Sequence, residues 1–135
     1  MLALEDLYDC DHNQVLAHIC ASFEVEMSEL DGIVILVAYE SVGSWGCDSN
    51  NWFLFRKGGQ LYENHGGHCS CNGFEGQWGP EETNLAYLKS DKFEFWCGGY
   101  DGDTEGNKAK VYECLEQLYP DHLNNRRAAV LASRG

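Results

Sequence analysis

Asn51-Trp52-Phe53-Leu54-Phe55-Arg56-Lys57-Gly58-Gly59-Gln60-Leu61-Tyr62-Glu63-Asn64 reads as a β-hairpin, and it decides the fold class. Asn51 to Arg56 is dense in aromatic residues, which suit a pleated, half-buried surface. Gly58-Gly59 supplies a short turn, and Gln60 to Asn64 forms the return strand. Upstream, Ile33-Val34-Ile35-Leu36-Val37-Ala38-Tyr39 is continuous and β-branched, the pattern of a central strand covered on both faces. Downstream, Lys92-Phe93-Glu94-Phe95-Trp96-Cys97 alternates and reads as a fourth strand.

Helical signals surround these strands. Asp11 is a candidate N-cap for a helix from about His12 to Phe23, with Val15, Leu16, Ile19 and Phe23 on one face. Glu24 to Asp31 is an acidic connector that extends this helix, and Gly32 punctuates it. Residues 1–11 read as a short helix or an ordered arm. Pro80 to Leu88 reads as a short helix with Glu81 and Glu82 toward its positive end. Lys108 to Tyr119 carries Val111, Cys114, Leu115 and Leu118 at helical spacing, and Pro120 stops it. Asp121 caps a last helix with Leu123, Val130 and Leu131 inside and Arg126 and Arg127 on a basic face. The sum is a single α+β domain over residues 1–135: a mainly antiparallel sheet of about four strands with helices packed on it.

Charge placement narrows the partners. The formal charge is −13. Residues 1–55 hold ten acids and no Lys or Arg, whereas the last ten residues hold three Arg and no acid. A one-sign field of this kind repels nucleic acid and anionic membrane and attracts a basic protein surface. The longest apolar run, Ile33 to Tyr39, is strand-sized and far short of a membrane span. Met1-Leu2-Ala3-Leu4-Glu5-Asp6 lacks a basic n-region, so a secretory signal is not expected and the expected location is the cytoplasm of a host cell. There the seven cysteines, at positions 10, 20, 47, 69, 71, 97 and 114, are expected as free thiols, with Cys20 and Cys114 acting as small buried hydrophobes.

One segment departs from an ordinary domain. His65-Gly66-Gly67-His68-Cys69-Ser70-Cys71 places two imidazoles and two thiols within seven residues, beginning where the return strand ends. Zinc takes thiolates and neutral imidazoles in a tetrahedron, so His68, Cys69 and Cys71 are candidate metal ligands, completed by Cys47 or Cys97 from elsewhere. A thiol nucleophile, Cys69 beside His68 with Glu75 or Asp48 as orienting acid, is another reading. The following Gly73-Phe74-Glu75-Gly76-Gln77-Trp78-Gly79-Pro80 lacks the Lys-Ser/Thr ending of a phosphate loop and reads as a compact turn pinned by Phe74 and Trp78. Asp101-Gly102-Asp103-Thr104-Glu105-Gly106 opens like a calcium loop, but Tyr112 stands where a bidentate Glu is needed.

Lys57-Gly58-Gly59-Gln60-Leu61-Tyr62-Glu63, then His68-Cys69-Ser70-Cys71-Asn72-Gly73-Phe74-Glu75-Gly76-Gln77-Trp78 and Pro80-Glu81-Glu82-Thr83, resembles a family of small uncharacterised proteins carried by phages and prophages. The resemblance spans about residues 51–88, with Gly66-Gly67 where a more polar residue is expected. It implies a mobile-element setting, in which small acidic proteins often inhibit host defence, as anti-CRISPR and anti-restriction proteins do.

The leading expectation is therefore an inhibitor or binding protein and not an enzyme. Glu24, Glu26, Glu29 and Asp31, supported by Glu5, Asp6, Asp9 and Asp11, would contact a basic host protein or nucleoprotein complex, with no direct contact to nucleic acid or membrane. No cofactor is needed for that role. The alternative is a small zinc-binding or thiol-dependent protein centred on the His65–Cys71 loop. A third reading makes that loop a structural signature only.

Overall fold

The computed structural model describes residues 1–42, 49–68, 73–93 and 104–120. Five strands form one sheet in the order β1 (Leu2–Glu5), β2 (Val34–Val42), β3 (Ser49–Lys57), β4 (Gln60–His68) and β5 (Glu81–Thr83). The class is α+β, as expected, but the sheet is mixed. β1 lies parallel to β2, and the remaining pairs are antiparallel. A parallel neighbour requires a crossover of a dozen or more residues, and α1 (His12–Phe23) supplies it. Leu2-Ala3-Leu4 is thus an edge strand, not an arm or a helix.

The hairpin forms as read, with Lys57 opposite Gln60 and Gly58 at φ +61° in the turn. β4, however, continues through Gly66 and Gly67 to His68, so the His/Cys segment begins inside the strand. β2 lies inside the sheet, between β1 and the central β3: Ile35 to Glu40 are all buried, and a bulge between Ile35 and Val37 sends both Leu36 and Val37 to the same face.

Two cores lie on opposite faces of the sheet. On one, α1 packs Val15, Ile19 and Phe23 against Ile35, Ala38, Phe53 and Phe55, joined by Phe74. On the other, α2 (Leu85–Leu88) and α3 (Thr104–Leu118) bring Leu88, Val111 and Leu115 onto Tyr39, Trp52, Leu54 and Phe93. Leu118 is half exposed and not a core residue. Cys20 and Cys114 are half-buried at the rims of the two cores.

Several expectations are corrected at element ends. The 80–88 segment is not one helix: Glu81–Thr83 pairs with β4, and Asn84 caps the short α2 by accepting from the Tyr87 N–H at 2.8 Å. The connector does not extend α1. Asp11 and Gln14 close a reciprocal capping box at its start, while Glu24, left-handed at φ 55°, ends it. Met27–Leu30 then makes a single 3-10 turn. Of the expected fourth strand, Lys92 lies in a turn and Phe93 is buried outside any strand, while residues 94–97 and the helix expected after Asp121 lie outside the described residues. Thr104 to Gly106 opens α3, and residues 101–103 of the calcium-like stretch lie outside the described residues. Among the described residues no helix is long and apolar enough to cross a membrane.

Candidate functional site

The acidic connector has a defined path. After Glu24 the chain turns back, with Leu30 packed into the core built by Val15, Ile19 and Phe23. By Ile35 it has returned to the first residue of α1, where His12 Nε2 accepts the Ile35 N–H at 2.9 Å. Glu24, Glu26, Glu29 and Asp31 therefore lie along a strip that follows α1 from its end to its beginning. All four are exposed, and among the described residues none forms an ion pair.

The field of these carboxylates reaches the helix. Burial raises the Cys20 thiol pKa, and the charges of Glu26 and Glu29 raise it further. Cys10 is raised in the same way by burial and then by Asp9, Asp11 and Glu40. At its first residue the strip works against the helix. Glu24 sits at the negative end of the α1 dipole, where a carboxylate is disfavoured. Glu26 and Glu29 have a local task, framing the start of the 3-10 turn as a capping box in which Glu29 accepts the Glu26 N–H at 3.0 Å. The supporting acids divide: Asp11 is the helix cap, and Glu5 accepts from Asn107 Nδ2 at 3.1 Å on α3.

The His65–Cys71 segment is brought together only in part. His65 Nε2 donates to Glu63 Oε1 at 2.8 Å, and Trp52 Nε1 donates to the same oxygen at 3.3 Å. Burial alone would raise the Glu63 pKa, but the hydrogen bonds, led by that from His65, outweigh it and hold the carboxyl below its ordinary range. His68 pairs in register with Ser49. Cys69 and Cys71 lie outside the described residues, as do Cys47, Cys97 and Asp48. Among the described residues no three His, Cys, Asp or Glu side chains are grouped to hold a metal ion.

The Gly- and aromatic-rich run is built into the fold. Gln77 acts as a side-chain stand-in for a strand neighbour: its Oε1 accepts the Gly67 N–H at 2.8 Å and its Nε2 donates to the Gly67 carbonyl at 2.8 Å. Two residues on, the Gly79 N–H donates to Asn64 Oδ1 at 2.9 Å. β5 pairs only with Leu61 to Glu63, so these contacts cover the β4 edge beyond it. Trp78 is half-buried and stacks on Phe55 at 5.8 Å and 17°, with Phe23 5.3 Å away. Gly66 is required by close approach, since a Cβ there would strike the Asn51 side chain and lie 3.0 Å from the Phe74 ring. Gly66, Gln77 and Trp78 of the motif are therefore accounted for by packing and edge closure.

A second polar cluster went unread in the sequence. His18 on α1 donates from Nε2 to Glu40 Oε2 on β2 at 2.8 Å, and Asn51 Nδ2 on β3 donates to Glu40 Oε1 at 3.2 Å. Ser22 Oγ lies 3.3 Å from the same His18 nitrogen. A Ser-His-acid relay needs the acid on one ring nitrogen and the hydroxyl on the other. Here both meet Nε2, so the set is not a nucleophilic triad. The available signal was Glu40 itself, an acid following directly on a fully buried strand.

Comparison with family models, with curated proteins and with solved structures returns no match.

Proposed function

We propose that this chain is a binding protein: a small acidic inhibitor of the phage type that covers a basic, nucleic-acid-handling surface of a host defence complex. The observation that carries this reading is the strip Glu24, Glu26, Glu29 and Asp31, exposed and without ion pairs among the described residues. The mechanism is electrostatic occlusion, in which carboxylates take positions meant for phosphates. The absence of any Lys or Arg before Arg56 supports it, because no internal cation competes along that stretch. The test is capture from bacterial lysate by the tagged chain, washed at about 50 mM and then about 500 mM salt, since such contacts are screened. A discrete nucleic-acid-binding complex held at low salt and released at high salt supports the reading. No partner at either salt argues against it.

A second reading has one observation in its favour. His65 donates Nε2–H to the buried Glu63 carboxylate, a carboxylate–histidine pair of the kind found behind many metal-ligating histidines. In that reading the His65–Cys71 segment holds zinc, with His68, Cys69 and Cys71 as ligands and the Glu63-oriented His65 as the fourth candidate. Metal analysis of the purified chain decides it: one zinc per chain supports it, and a metal-free protein with all seven thiols equally slow to label removes it.

A further inference from the structure

α1 is held on the sheet by apolar packing and by two polar ties of different character. At its start, His12 Nε2 accepts a backbone N–H from Ile35. In its second half, His18 reaches Glu40, which is only 8% exposed and sits on the interior strand β2. We propose that the His18–Glu40 pair is a pH-responsive clamp, closing α1 onto β2 when the imidazole is protonated and loosening it when the proton leaves.

The cluster is built so that His18 is the counter-charge of Glu40. Facing the pair are Ser22 from α1, Asn51 from β3 and Cys10 from the turn that precedes α1. Glu5 lies in register beside Glu40 on β1, with its carboxylate engaged by Asn107. Asp9 and Asp11 add further negative charge around Cys10. No Lys or Arg occurs before Arg56, and among the described residues no ion pair but that with His18 reaches Glu40. Loss of the His18 proton therefore leaves a buried carboxylate with only neutral donors, amid other acids. A buried charge stripped of its partner is costly, while a neutral Nε2–H still gives a weaker hydrogen bond.

The direction follows from the bond to Glu40. That hydrogen bond raises the His18 pKa above its ordinary 6.5, against a smaller opposing effect of burial. A raised folded value means that the clamp contributes fully below pH 6.5 and fades as pH rises through the folded value. The change therefore lies above pH 6.5, on the alkaline side of an ordinary histidine, the common side-chain switch. The clamp is internal and stands whether or not the acidic strip binds a partner.

Hydrogen exchange of the full chain, corrected for intrinsic rates, tests it at about pH 6 and about pH 8.5. In the wild type, α1 amides should lose protection severalfold relative to β3 amides at the higher pH. His18→Gln should abolish that difference between the two pH values. Should His18→Gln fail to fold, Glu40→Gln is the second variant and should abolish it equally. Parallel behaviour of α1 and β3 in the wild type, or a difference retained in either variant, overturns the clamp.

Discussion

Gly66 carries the most local information in the chain. Its glycine was visible in the sequence, but its reason was not, because the obstruction comes from Asn51, fifteen residues away on the facing strand. Gly66→Ala is expected to destabilise the fold by about 1–3 kcal/mol, the range for an overpacked core site, read from the denaturant midpoint. An unchanged midpoint would mean that the β3–β4 contact yields freely. Gln77→Ala removes both bonds to Gly67 and should cost about 1–2 kcal/mol by the same measurement. Glu63 behaves as a depressed acid. Its folded pKa lies below the ordinary 4.5, so its contribution is present above that value and disappears as pH falls through the folded value. Glu63→Gln should therefore flatten the acid limb of the stability profile, and an acid limb identical to wild type would contradict this role. Contacts such as His18–Glu40 and Trp52–Glu63 join different elements, so no local pattern of residues reveals them.

At the scale of elements, legibility followed the strength of the local pattern. The hairpin, α1 and α3 were legible because Phe53 and Phe55, or Val15, Ile19 and Phe23, or Val111 and Leu115, repeat at the period of their element. β1 was missed because four residues in an acidic stretch become a strand only through their partner, β2. β5 was missed for the same reason, its Glu-Glu-Thr being held by pairing to Leu61 to Glu63. The extension of β4 was hidden because glycines disfavour strands unless a neighbour demands them. The left-handed end of α1 gives an element-scale prediction. Glu24→Gly relieves a left-handed non-glycine residue and removes an acid from the negative end of the dipole, so it should stabilise the protein by about 0.5–1 kcal/mol in thermal or denaturant unfolding. A destabilised Glu24→Gly would show that the Glu24 side chain has a folding role the structure does not reveal.

For the whole molecule, the decisive property is where charge is left uncompensated. The candidate acids were legible from sequence as a stretch without bases, but their alignment along α1 came from the return path through Leu30 to Ile35. The zinc reading was legible as a pattern, and of its three ligands only His68 falls within the described residues. A protein that binds through such a strip should lose affinity steeply with salt, because each exposed carboxylate contributes a screened attraction. Its fold should be indifferent to the loss of those same groups. The most direct measurement is the affinity of the captured complex for the wild type and for the variant combining E24Q, E26Q, E29Q and D31N, across a salt series. The account predicts at least about a tenfold weaker complex and a shallower salt dependence for the variant, with unfolding stability retained or raised. Equal affinity and an equal salt slope in a folded variant would contradict it and move the interface away from α1 and its connector.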